Sequence, residues 1–214
     1  MPMNIAIDGP VGAGKSSIAD QVAQRLHILH LDTGAMYRTV ALYMLRNGID
    51  PQDEQTVSAH CGEADVRVAY RDGAQRTMLG GEDVSDLIRT GEVSAAASAI
   101  SKWPAVRRRM VAAQREIAAT ADMLIDAPGK IFLTATPEER ARRRYRQQIE
   151  KGDMTPYEQV LAELNARDAQ DMNRETDPLR QAEDAVLVDS TNMTPEQVVD
   201  AIIAVVEDVY GKRA

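Results

Sequence analysis

Gly9-Pro10-Val11-Gly12-Ala13-Gly14-Lys15-Ser16 fits the pattern G-x-x-x-x-G-K-[ST] completely, and its flanks supply the context that pattern needs. Met3 to Asp8 (MNIAID) is a short β-like run that ends at the loop. From Lys15 onward Ile18, Val22 and Leu26 recur at helical spacing, so the loop feeds a helix. Glycines let the backbone wrap until its N–H groups point at phosphate oxygens, at a helix N-terminus whose dipole favours anions. Lys15 places a point charge at the β/γ-phosphates and Ser16 offers a hydroxyl to Mg²⁺. The expected nucleotide-binding set is therefore Gly9, Pro10, Val11, Gly12, Ala13, Gly14, Lys15, Ser16 and Ser17, with Ser16 the metal ligand. This reading implies a nucleoside triphosphate without saying how it is used.

Working outward, Ile28 to Leu31 reads as a second strand, and a helix through Thr39 to Leu45 stops near Asn47-Gly48. Residues from about 56 to 101 look different. Val66 to Tyr70 alternates, Arg71-Asp72-Gly73-Ala74 is a turn, and Arg76 to Leu79 is extended again. That hairpin signature sits inside an otherwise alternating α/β chain, so the region is expected to be a small inserted subdomain. A long helix follows from Pro104 to Thr120, then β-like runs at Asp122–Ile125 and Lys130–Ala135. Thr136 and Pro137 open another helix as N-cap and first helical residue. Ala185–Asp189 gives a last strand, and Thr194 with Gln197 forms a capping box for a closing helix with one wide apolar face. Five β-runs separated by helices imply an α/β fold, a P-loop three-layer sandwich around a five-stranded parallel sheet. The expectation is one domain over 1–214, with the insert at about 56–101 and a helical lid at about 140–174.

A net charge of −8 argues against a nucleic-acid polymer as partner, because binding many phosphates needs a basic surface. It leaves room for a small anion held by clustered arginines. The single cysteine, Cys61, allows no intrachain disulfide, and no signal-peptide pattern or membrane span is present, so a soluble cytoplasmic protein is expected. No extensive apolar interface is evident, which makes a monomer the expectation.

A guanine-nucleotide switch protein would carry N-K-x-D, and none occurs. A small-molecule kinase predicts arginines converging on the transferred phosphoryl group. Arg140, Arg142, Arg143, Arg144 and Arg146 crowd one helix, where Arg140, Arg143 and Arg144 share a face. On the next helix the apolar face of Tyr157, Val160, Leu161 and Leu164 extrapolates to Arg167, Asp171 and Arg174. Charges where core residues should continue predict either a helix end lining a cleft or residues that pair with each other. A nucleotide phosphate acceptor is already anionic and needs no general base, and His27, His30 and His60 form no triad or metal pattern. Lys15, Arg143, Arg167 and Arg174 are the expected catalytic cations.

Ala6 to Ser17, Leu31-Asp32-Thr33-Gly34-Ala35-Met36-Tyr37-Arg38, Glu82-Asp83-Val84-Ser85, Ile88-Arg89-Thr90, Phe132 to Ala135, and Arg167 to Arg174 together resemble the bacterial cytidylate kinases. The likeness is collinear from Asn4 to about Val206. It implies phosphoryl transfer from ATP to CMP or dCMP with Mg²⁺. It also implies an acceptor site at Asp32, Thr33, Tyr37, Arg38, Ser98, Arg107, Arg167, Asp171 and Arg174. Residues 140–146 would belong to the lid, which excludes water.

The chain departs from the family after Met123–Asp126. There the family carries a Gly-Arg-Asp-Ile-Gly-type run, whereas here Ala127-Pro128-Gly129-Lys130 leads straight to the next strand. Parallel strands need a crossover of about a dozen residues. The two runs therefore either form a hairpin or have lost a segment, and a true loss would weaken CMP phosphorylation. A P-loop kinase for another metabolite and a nucleotide binder without its acceptor loop are the competing readings.

Overall fold

The computed structural model describes residues 2–126, 130–150, 152–173 and 178–211. Its chain divides into two compact units, Ile5–Leu26 with Asp126–Ala214, and Met1–Asn4 with His27–Ile125.

The first unit carries the glycine loop. Strand β1 (Asn4–Asp8) buries Ile5 and Ile7 completely and runs into the loop, from which α1 (Lys15–Leu26) emerges with Ile18, Ala19, Val22 and Ala23 inward. Parallel pairing joins β1 to β7 (Ile131–Thr134) with Ile7 opposite Ile131, and β7 to β8 (Val186–Asp189) with Thr134 opposite Asp189. Helix α6 (Pro137–Glu150) starts where Thr136 Oγ1 accepts from the Glu139 N–H. It packs on α7 (Tyr157–Asn173) around Ala141, Val160 and Leu164. The capping box at Thr194 opens α8 (Pro195–Tyr210), whose Val198, Val199, Ile202 and Val206 face inward, with α8 packing on α1 and β8.

The second unit pairs β2 (Leu29–Leu31) in parallel with β6 (Met123–Asp126) along Leu29–Met123 to Leu31–Ile125. Helix α2 (Thr33–Arg46) follows β2 and ends at Asn47 as expected. The region 56–101 holds the expected hairpin, β3 (Val66–Arg71) and β4 (Ala74–Leu79), extended by a two-residue β5 (Glu82–Asp83). Asp72 and Gly73 both have positive φ, 53° and 78°, the two-residue turn that matches strand twist. The same stretch of chain also contains helical structure that the hairpin signature does not foretell. These elements are α3 (Glu54–His60), a 3-10 turn at Leu87–Arg89, and α4 (Gly91–Ile100), which packs on α2. Helix α5 (Pro104–Ala118) leads to β6.

The strands form one sheet in the order β2-β6-β1-β7-β8, the five-stranded parallel arrangement expected, with a separate antiparallel β3-β4-β5 sheet. The hairpin alternative for the runs around Asp126 and Lys130 fails. β6 pairs parallel with β2, β7 pairs parallel with β1, and β6 and β7 are not neighbours. Residues 127–129, which link them, lie outside the described residues.

Candidate active site

The loop's shape depends on glycines at two close approaches. Gly9 has φ +145°, and a Cβ there would sit 1.9 Å from the carbonyl oxygen of Leu133 on β7. Gly12 has φ +80°, and a Cβ would lie 3.3 Å from both Arg140 Cβ and Leu164 Cδ1. Lys15 Nζ donates to the carbonyls of Gly9 (2.5 Å) and Pro10 (3.1 Å), folding the side chain over the loop. Burial lowers its pKa from the usual 10.5, opposed by the carboxylates of Asp126, Asp8 and Asp171, while Arg140 adds to the lowering. Desolvation of a cation wins here because moving an ammonium out of water disfavours its charged form. Ser16 and Ser17 lie in the first turn of α1, Ser17 exposed. Their backbone N–H groups belong to the orphan donors of a helix start, the chemistry an anion takes.

The arginines of α6 separate into different roles. Arg140 is buried, 3% exposed, rather than part of a solvated face. Its guanidinium donates to both oxygens of Asp168 (2.6 and 3.1 Å), to the Ala135 carbonyl and to the Val11 carbonyl in the loop, each of the last two at 2.9 Å. Arg143 donates to Ser190 Oγ (3.1 Å), the Ser190 carbonyl (2.6 Å) and Glu139 (3.1 Å). On α7, Arg167 Nε donates to Asp171 Oδ2 at 2.9 Å, with Asp171 buried, so the two charges at the end of the apolar face do pair. Arg174 lies outside the described residues.

In the other unit, Asp32 caps α2. Its Oδ1 accepts from the Ala35 N–H (2.9 Å), and its Oδ2 accepts from Arg38 Nη2 (3.0 Å). Arg38 lies on the second turn of the same helix, so one carboxylate both starts the helix and orients a guanidinium. Arg38 Nε is buried and finds no hydrogen-bond partner among the described residues. Thr33 is buried in the first turn, and Tyr37 is half-buried beside Arg38 in sequence. Ser98 is half-buried on α4. Arg107 is buried on α5 and donates to the Ser101 carbonyl at 3.4 Å. Asp32, Thr33, Tyr37 and Arg38 thus come from the cap and first two turns of one helix, while Ser98 and Arg107 come from two further helices.

Among residues not singled out from the sequence, Asp8 and Asp126 bear on Lys15 from the ends of β1 and β6, and Asp168 anchors Arg140. An acidic residue closing the strand before a glycine loop was a readable signal for Asp8. No spacing rule pairs 140 with 168. Among the described residues no group of three or more His, Cys, Asp or Glu is placed to hold a metal ion. The donor that suits Mg²⁺ is the Ser16 hydroxyl, an oxygen ligand of the kind the ion takes alongside phosphate.

A G-x-x-x-x-G-K-S loop that leaves a parallel strand and enters a helix, its lysine under the influence of three carboxylates, defines a P-loop nucleotide-binding protein. A family model described as cytidylate kinase matches residues 5–208. The cytidylate kinase of Caldicellulosiruptor bescii is 44% identical over 212 aligned positions, covering 94% of this chain and 94% of that one. That of Mycobacterium avium is 47% identical, with 92% of this chain and 91% of the relative covered. That of Caldicellulosiruptor saccharolyticus is 41% identical, with 98% and 97% covered. The chain belongs to the cytidylate kinase family.

Proposed function

We propose that the protein transfers the γ-phosphoryl group of ATP to CMP and dCMP, giving ADP with CDP or dCDP. The observation that carries this reading is the family match over residues 5–208, which takes in the phosphate loop, Asp32, Arg38 and Arg167. Cytosine offers an exocyclic amine donor beside ring acceptors, which suits a carboxylate or hydroxyl paired with an arginine. The Asp32–Arg38 pair, with the buried Arg38 Nε still to be matched, has that chemistry.

In this reading the loop amides and Lys15 hold the donor phosphates, Asp32, Thr33, Tyr37, Arg38, Ser98 and Arg107 hold the acceptor, and Arg167, Asp171 and Arg174 act on the phosphates. Arg143 joins them only by leaving Ser190 and Glu139. Ser16 would hold Mg²⁺ beside the triphosphate, where the ion would supply neutralisation of phosphate charge. No residue is asked to remove a proton, since the acceptor oxygen is anionic and catalysis rests on positioning and charge. The segment 56–101 serves as the acceptor-binding insert and 140–174 as the lid that excludes water. The link after Asp126 brings no arginine or aspartate of its own, so acceptor affinity depends more heavily on Arg38 and Arg107. Among the described residues no helix is long and apolar enough to cross a membrane. The reading is of a cytoplasmic, monomeric enzyme acting on soluble nucleotides.

A coupled ADP-release assay with ATP and a panel of CMP, dCMP, UMP, AMP and GMP tests the proposal. Turnover is expected with CMP and dCMP before the others. Faster turnover with a purine monophosphate would overturn the acceptor assignment, and ATP binding without turnover on any acceptor would overturn the kinase assignment.

A further inference from the structure

Gln75 stands on β4, outside both the donor and the acceptor residues, yet its side-chain amide grips the main chain of Asp32 from both sides. Its Oε1 accepts from the Asp32 N–H at 2.8 Å, and its Nε2 donates to the Asp32 carbonyl at 3.2 Å. A side-chain amide paired with a main-chain N–H and C=O at once reproduces the exchange of a β-ladder pair without a strand there. The Gln75 amide is itself oriented, because Nε2 also donates to Thr77 Oγ1 (3.2 Å), and Thr77 is 2% exposed. Thr77 is held in turn, its N–H donating to Ser85 Oγ (2.9 Å) and Ser85 Oγ donating to Asp83 Oδ1 (2.6 Å). A second strut from the same sheet, the Tyr70 hydroxyl, donates to the His30 carbonyl at 3.1 Å, two residues before Asp32.

The residue so gripped is the one whose carboxylate serves twice. Asp32 caps α2 through Oδ1 and holds Arg38 through Oδ2, and both demand one orientation of the Asp32 backbone, φ −70° and ψ 92°. A loop residue between β2 and α2 has no ladder of its own to hold that conformation. We infer that Gln75 is a positioning residue for acceptor binding, through which the small antiparallel sheet sets the orientation of the Asp32–Arg38 pair. The inference rests on reading that pair as part of the acceptor site. The insert thereby gains a specific role, which is to present an amide to the β2–α2 junction rather than only to enlarge the surface.

The test compares Gln75→Met, which keeps length and removes both hydrogen-bonding atoms, with Arg38→Met, the double variant, and Tyr70→Phe. Steady-state kinetics with CMP and ATP are read beside thermal melts. Gln75→Met is expected to raise KM for CMP about tenfold, equivalent to about 1.4 kcal/mol, with KM for ATP unchanged. Because Gln75 acts through Asp32 and Arg38, adding it to Arg38→Met is expected to raise KM less than about twofold further, the non-additivity of coupled residues. Tyr70→Phe, which removes the sheet's separate hydrogen bond to His30 on β2 and leaves the Gln75–Asp32 contacts intact, is expected to lower the melting temperature and leave KM for CMP in place. Should Gln75→Met fail to fold, Gln75→Asn, whose amide is one methylene too short to reach, carries the same expectation. If Arg38→Met leaves KM for CMP unchanged, the acceptor reading is wrong and the inference goes with it. If Arg38→Met raises KM but Gln75→Met does not, or if the two effects add fully, or if Tyr70→Phe raises KM as much, the inference alone is overturned.

Discussion

Asp168→Ala is the perturbation whose consequence the structure specifies most fully. Asp168 and Arg140 form a bidentate ion pair whose side chains are 15% and 4% exposed. Removing the carboxylate leaves a guanidinium buried without its counter-charge, a situation that costs about 3–5 kcal/mol in typical proteins. Arg140 keeps the carbonyls of Ala135 and Val11, which places the expected loss at the lower end, about 3 kcal/mol. For a chain of this size each kcal/mol moves the melting temperature by about 2–4 °C, so a drop of about 6–12 °C is expected. Arg140 also joins the loop to α6, since its Nη1 donates to the Val11 carbonyl and its Cβ would touch a side chain placed at Gly12. The stabilisation that saturating ATP adds to Asp168→Ala should therefore shrink as well. Replacing both partners, Arg140→Met with Asp168→Leu, removes the uncompensated charge and should recover most of the loss. Calorimetry on the parent, the single and the double variant, with and without ATP, measures all of this. A drop below about 2 °C for Asp168→Ala, less than about 1 kcal/mol, or a double variant no better than the single one, would refute the view that this pair clamps the loop.

Lys15→Met should abolish the rise in melting temperature that ATP gives the parent; a retained rise would remove Lys15 from the donor site. The pH sign follows from its depressed pKa: between that pKa and the usual 10.5 the unfolded chain binds more protons, so stability contributed at this site rises with pH. Urea melts across the alkaline range should show that slope in the parent and lose it in Lys15→Met, while ATP affinity falls over the same window as the ammonium is lost. Gly9→Ala should give little folded protein, because its Cβ meets a main-chain oxygen that cannot step aside, whereas Gly91→Ala, in the first turn of α4 with open space, should add about 0.4–1 kcal/mol in denaturant melts. Burial pushes the Tyr70 hydroxyl up to about 12, so a spectroscopic titration should find a late-ionising tyrosine that disappears in Tyr70→Phe.

Much of the architecture was legible because each signal was local. The glycine loop, its strand and its helix follow from residues adjacent in sequence, and so do the caps at Thr136 and Thr194. The Asp72-Gly73 turn follows from the need for positive φ. Helix α4 was missed although Val93, Ala96, Ala97 and Ile100 carry helical spacing, because its alanines give a faint hydrophobic pattern beside a conspicuous hairpin. The charges at the end of α7 read as a departure from the apolar face. The structure shows why they are tolerated, with Arg167 paired to Asp171 and Asp168 to Arg140.

The sequence by itself determined the phosphate loop, the alternation of strands and helices, and the hairpin, each a rule about neighbours a few positions apart; the residues to suspect on the acceptor side came only from the resemblance to the cytidylate kinases. Tertiary structure alone decided that β6 and β7 run parallel with β1 between them. It also decided that Arg140 is a buried strut while Arg143 binds Ser190, and that Gln75 reaches back to Asp32. These outcomes join positions 28, 43 and 47 residues apart. At that range pairing is set by how sheets and helices pack, and no local pattern encodes it.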